Sequence, residues 1–136
     1  MPNVETFVDG QDETRDEVNL DHIKTVAEAL VDLGNPKPAV RVLLCLHIHG
    51  TISSKELQSY CQLRQPEISN AVNKLAELSF LEIQKSPNKG RGRPHHIYRL
   101  SKPIDECVQH FMRETELRIQ RMSKKLENLR LLSQDL

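Results

Sequence analysis

The chain is predicted to be mainly α-helical with one small β-hairpin, and three observations predict this. Apolar residues recur three and four apart through five separate stretches, ending in one of about thirty residues at 103–132. Two of these stretches, 54–61 and 66–79, are separated by only four residues, QLRQ. Two further runs, FLEIQKS at 80–86 and HIYRLS at 96–101, alternate with the period of strands and flank a glycine-containing segment.

Length and composition bound what such a chain can be. Its 136 residues suit one small domain with appendages. Aromatic residues make up 4% and there is no Trp, so the core must be small and built from Leu, Ile, Val and Ala. No apolar run approaches the ~20 residues of a membrane span, which excludes a membrane-spanning helix as partner to the bilayer. The segment MPNVETFVDGQDETRDEV has neither the apolar core nor the early positive charge of a secretory signal. The three cysteines, Cys45, Cys61 and Cys107, are odd in number and widely spaced, which fits a reducing cytoplasm better than a disulfide framework.

The elements follow in order. Residues 1–18 are polar and acidic and read as a disordered tail. A first helix is expected over 20–33, within a unit spanning 19–35. Leu20, Ile23, Ala27, Leu30 and Val31 carry its period, Asn19 caps its start and Gly34 its end. The central unit spans 36–102. Its first helix opens at Pro36 and Pro38, where missing N–H groups cost little, and presents Ala39, Val42, Leu43, Leu46 and His47 on one face. Thr51-Ile52-Ser53 is a short extended link. Ser53 and Glu56 then form a capping box for a helix at 54–61 that turns Leu57 and Cys61 inward. Pro66 starts the next helix, with Ile68, Ala71, Val72, Leu75 and Leu78 inward and Glu67, Ser69, Asn70, Asn73, Lys74 and Glu77 outward.

A net charge of zero conceals segregation. Residues 1–36 hold nine acids against Arg15 and Lys24, whereas 51–102 hold nine cations against four acids. This places a basic surface beside an acidic tail. A short helix, a tight turn and a second helix faced with small polar groups is the helix-turn-helix arrangement. On that reading Gln65, Pro66, Ser69, Asn70 and Asn73 meet double-stranded DNA, since Asn and Gln can pair with adenine edges. Lys55 and Lys74 are placed for phosphates. The segment NKGRGRPHHIYRL puts Lys89, Arg91 and Arg93 on a glycine-rich hairpin tip beside His95, where guanidinium groups can fork onto phosphate or enter a narrow minor groove. An exposed helix face built only for solubility favours Glu, Lys and Gln over the Ser and Asn found here.

Helix, short strand, helix, turn, recognition helix and hairpin, in that order, resemble the winged helix-turn-helix. The run SSKELQSYCQLRQPEISNAVNKLAELSFLEIQKSPNKGRGRPHHIYRLSKP is similar to MarR and TrmB-type regulators, above all compact archaeal ones. The phrases ISNAVNKLAELSFLE and GRGRP leading into IYRL carry the resemblance, which covers roughly 37–102. It implies a transcriptional regulator that binds DNA. Ser79 departs from it, standing where the family usually has Gly before the hydrophobic pair, and a left-handed backbone there would strain a serine.

Residues 103–136 read as a coiled-coil-like dimerisation helix. Val108, Met112, Thr115, Ile119, Met122, Leu126 and Leu129 alternate spacings of four and three, a heptad seam. Such a helix makes a rod of roughly 45 Å, too long for the small domain to cover, and the simplest partner is a second copy. No cofactor is implied and no metal: Cys45, His47 and His49 have no CxxC or HxxxH spacing. Nothing in the sequence marks Cys61 or Cys107 as an activated thiol. An enzyme is not indicated, because no phosphate loop or paired acid–base set is present. Two readings stand: a homodimeric, sequence-specific DNA-binding regulator, and a winged-helix module that binds protein and assembles through its last helix. A small-molecule effector is not legible.

Overall fold

The structure, a computed structural model, describes residues 20–86 and 95–136. Its elements are α1 (residues 20–32), α2 (Lys37–His49), β1 (Ile52–Ser53), α3 (Ser54–Cys61), α4 (Gln65–Glu77), β2 (Leu81–Ser86), β3 (His95–Leu100) and α5 (Ile104–Ser133). The acidic tail, Asn19 and the tip cations Lys89, Arg91 and Arg93 lie outside the described residues.

Helix α1 ends as its sequence requires. Gly34 has φ +98°, a conformation costly for any side chain, and lets Asn35 N–H reach back to Leu30 O at 3.1 Å while Gly34 N–H reaches Val31 O at 2.9 Å. Helix α2 starts behind Pro36 and is the most buried element. Val40, Val42, Leu43 and Leu46 are at most 1% exposed. Its period has one miss: His47, expected on the inner face, is exposed, and Val40 takes the buried position instead. At α3 the Ser53 hydroxyl accepts from Glu56 N–H (3.2 Å), and the Glu56 carboxylate accepts from Ser53 N–H (3.0 Å). Those bonds hold the Glu56 carboxyl below its ordinary value.

Helix α4 begins one residue earlier than Pro66 predicts. Gln65 is its first residue and Glu67 reaches back to accept from Arg64 N–H at 3.1 Å, which satisfies an otherwise orphan donor. Glu67 is therefore a capping residue rather than a free outward acid. The inner face, Ile68, Ala71, Val72 and Leu75, packs on α2, and each large side chain fully buried there contributes about 1.5–3 kcal/mol. Helix α4 ends at Glu77, and two residues on Ser79 does take a left-handed conformation, φ +62°. The strain of roughly 1–2 kcal/mol is offset locally. Phe80 N–H bonds Leu75 O, Ser79 N–H bonds Ala76 O, and the Ser101 hydroxyl donates to Ser79 O at 2.7 Å.

Strands β2 and β3 form the predicted hairpin, antiparallel from Leu81 opposite Leu100 to Ser86 opposite His95. The stretch read only as an extended link pairs as well. Ile52 lies opposite Tyr98 and Ser53 opposite Ile97, giving a sheet ordered β1-β3-β2. Helix α5 joins the core through its first three turns only, where Cys107, Phe111 and Thr115 are buried. A polar joint ends that contact. Asn35 Nδ2 donates to Thr115 Oγ1 (3.2 Å), and the Arg118 guanidinium donates to Leu33 O, Asn35 Oδ1 and Thr115 Oγ1 at 3.1, 3.3 and 3.1 Å. No helix among the described residues is long and apolar enough to cross a membrane.

Candidate nucleic-acid interface

The sheet and α2 hold α3 and α4 at a tight turn, with Gln62 in a left-handed conformation (φ +54°) between them. With its apolar stripe buried, α4 leaves Gln65, Pro66, Ser69, Asn70, Asn73 and Lys74 exposed on the opposite side, and Lys55 is exposed on α3. The helical residues expected to meet DNA thus lie on one pair of adjoining helices. They are not all equally free. Gln65 Oε1 accepts from the Ser54 hydroxyl at 3.3 Å and from the Gln58 amide, and Gln65 Nε2 donates to Ser69 Oγ at 3.3 Å. This network ties the start of α4 to α3, a positioning role that the spacing alone does not reveal. Among the described residues, no side-chain bond is made by Asn70, Asn73, Lys55 or Lys74.

On the hairpin, Arg99 pairs across the strands with Glu82, Nε to Oε2 at 2.6 Å, both well exposed. His95 opens β3 opposite Ser86. His96 packs edge-on to Tyr98, centroids 6.2 Å apart.

The heptad seam of α5 divides in two. Val108 packs against the chain's own core, and Thr115 is buried at 5% with its hydroxyl donated to Phe111 O at 2.8 Å. Thr115 is thus occupied within the chain, a correction to the expectation that it faces a partner, while Val108 is only partly covered. Their spacing cannot distinguish the two, because the same stripe continues from the domain surface onto the free rod. Beyond the joint, Ile119, Met122, Leu126 and Leu129 are 50–69% exposed, and Met112 is 49% exposed.

On the far side of α2, a cleft of about 870 Å³ opens between α1, α2 and the end of α3. Cys45 and Cys61 lie in its lining. The Arg41 guanidinium donates to Cys61 O at 3.2 Å, and the Cys61 thiol donates to Arg41 O at 3.7 Å. The neighbouring Cys61 and burial push the Cys45 thiol up, while the neighbouring Cys45, against burial and with help from the Arg41 charge, lowers the Cys61 thiol. His49 stacks on Tyr60 at 4.0 Å, its ring engaged there. No cluster of three His, Cys, Asp or Glu that could hold a metal occurs among the described residues.

Residues 33–92 match the model of the MarR family, 60 of the 136 residues. No curated protein matches the chain. Among solved structures, the chain is similar to a possible transcriptional regulator from Methanosarcina mazei Go1. The two are 19% identical over 76% of this chain and 87% of that one, with a TM-score of 0.51. A protein from the thermoacidophilic archaeon Sulfolobus tokodaii is 23% identical, covering 80% of this chain and 98% of that one (TM-score 0.48). The PcaV transcriptional regulator from Streptomyces coelicolor, in complex with its natural ligand, is 23% identical over 68% of this chain and 60% of that one (TM-score 0.46).

Proposed function

We infer that this protein, whose central unit is a MarR-like winged helix-turn-helix, is a cytoplasmic, dimeric regulator that binds duplex DNA and acts without catalysis. The observation that carries the reading is the division of α4. One side is wholly buried on α2, and the other offers Asn70, Asn73 and Lys74 to solvent with no side-chain partner among the described residues. Such a helix, held by α3 through the Gln65 network, presents amides that can pair with adenine edges in a major groove. Lys55 and Lys74 serve phosphates. Lys89, Arg91, Arg93 and His95 join the site on sequence grounds, as a hairpin tip gripping the flanking backbone.

The apolar face of α5 from Met112 to Leu129 supports assembly of two copies, since an exposed stripe of this length is a poor solvent surface and a natural seam. Two α4 helices related by a two-fold axis then meet successive major grooves about 34–36 Å apart.

A mobility shift of a random-sequence duplex pool, followed through rising salt, tests the DNA reading. Binding should weaken with salt by a logarithmic slope near −0.9 per phosphate contact, and Arg91→Ala with Arg93→Ala should flatten it by about 1 per lost contact per protomer. Absence of any shift at low salt from a protein that still self-associates would favour a protein-binding module instead.

A further inference from the structure

Helix α1 covers α2 incompletely. Of its apolar residues only Leu30 is buried, while Ile23 and Val31 are half-covered along the cleft. Leu20, Ile48 and Tyr60 also line it and are 46%, 40% and 51% exposed. At about 870 Å³ the cleft falls within the roughly 300–1,000 Å³ of sites that enclose a ligand-sized group. Its two walls differ in charge. Asp21, Glu28 and Asp32 line the α1 side with Lys24, whereas the α2 side carries Lys37 and Arg41, one turn apart, and no acid. Among the described residues neither Lys37 nor Arg41 pairs with a carboxylate, and the Arg41 guanidinium donates to the Cys61 carbonyl instead.

The chain's own first segment runs into this cleft. Residues 1–19 join α1 at Leu20, which is part of the lining. Residues 1–18 hold six acids against Arg15 and one apolar cluster, VETFV at 4–8, in which Phe7 and Val8 stand three and four residues after Val4. Solvating tails carry few aromatic residues, so Phe7 calls for a surface to cover. Eleven residues, 9–19, separate Val8 from Leu20. Extended, they span up to about 36 Å, against a length of roughly 20 Å for α1. The cluster therefore reaches every part of the cleft from its own attachment point.

We propose that residues 4–8 seat in the cleft of their own chain, with Phe7 against its apolar lining and the flanking acids Glu5 and Asp9 directed to Lys37 and Arg41 on the α2 side. The apolar cluster removes from water the faces that α1 leaves half-covered, and the charges fix which wall the segment follows. The entropy of ordering the segment is kept low because it is tethered beside its site. The tail is then the cleft's own occupant, and any apolar solute or helix entering the cleft has to displace it. This holds whether or not the protein binds DNA.

The chain has no Trp, so Phe7→Trp in the full-length protein supplies a single fluorescent reporter. Its emission should lie to the blue of that in urea and resist quenching by acrylamide. Adding Ile48→Glu, an exposed position in the lining, should abolish both effects, whereas Leu33→Glu, exposed and outside the lining, should leave them intact. Emission matching the unfolded chain, or shielding that survives Ile48→Glu, would overturn the proposal. So would shielding that disappears on dilution, which places the segment in a second copy. Because indole is larger than phenyl, a second measurement keeps the native ring: backbone amide shifts of the full-length protein compared with those of Phe7→Ser. Changes should gather at Ile23, Lys37, Arg41 and Ile48. Changes confined to residues 1–18, or centred on α4, would contradict the cleft as the seat.

Discussion

Helix α2 and the distal half of α5 carry the same kind of pattern, apolar residues three and four apart, and end in opposite surroundings. Every apolar residue of α2 from Ala39 to Leu46 is buried inside the chain, covered by α3, α4, the sheet and the start of α5. Past Thr115, α5 buries none: Ile119, Met122, Leu126 and Leu129 all face solvent. Period alone specifies a helix and a stripe. Whether the stripe is covered from within depends on how much chain is left to cover it, and a small domain has exhausted its apolar surface by the polar joint at Asn35, Thr115 and Arg118.

The largest expected effect breaks the distal region. Ile119→Asp with Leu126→Asp removes four apolar side chains from a two-fold seam, on the order of 6 kcal/mol at about 1.5 kcal/mol each, and adds like charges. Sedimentation should show monomers at concentrations where the wild type is dimeric, while the unfolding of the winged unit is unaltered. A mutant that remains dimeric would place the interface elsewhere.

The matching change in α2, Leu43→Ala, should act on the other property. Its side chain is fully buried, so the loss is about 2–5 kcal/mol of folding stability, read by denaturant unfolding. A comparably small effect from Leu43→Ala and from Leu126→Ala at concentrations where the protein is monomeric would erase the contrast between the regions. At the boundary, Thr115→Ala strips an acceptor from Asn35 and Arg118 and should cost about 1–3 kcal/mol. An unchanged melting curve would show that the joint contributes nothing.

The smallest effect has the opposite sign. Ser79→Gly relieves a left-handed serine and should stabilise by about 0.5–1 kcal/mol, because the bonds that fasten this turn are made by backbone atoms and by Ser101. Destabilisation would mean that the serine hydroxyl matters more than the backbone strain.

The winged unit was legible because its signals are local. Ser53 with Glu56 announces a capping box, Pro66 a helix start, and the Ile68 to Leu75 spacing the face that packs on α2. The left-handed turn at Ser79 could be anticipated from a resemblance in which glycine holds that place. What was not legible depends on residues far apart in sequence. Two residues at Ile52–Ser53 carry no strand period, and only β3 arriving beside them makes them a strand. Gln65 looked like a base reader because its bonds to Ser54 and Gln58 depend on the angle between two helices. Cys45 and Cys61 carry no spacing motif, and only the packing of α3 on α2 brings both to one cleft. Thr115 falls on a faultless heptad at the point where the domain itself covers the stripe.

On the proposed function, two copies of α4, held by the free part of α5, read DNA together. Selection of bound duplexes from a random library by the full-length protein, followed by sequencing, decides this. The expected result is an enriched pair of inverted half-sites with centres about 10–10.5 base pairs apart, one helical turn, and loss of that pairing, with any single half-site preference retained, in the protein carrying Ile119→Asp and Leu126→Asp. Enrichment of one unpaired site by the wild type, or of no sequence at all, would contradict it.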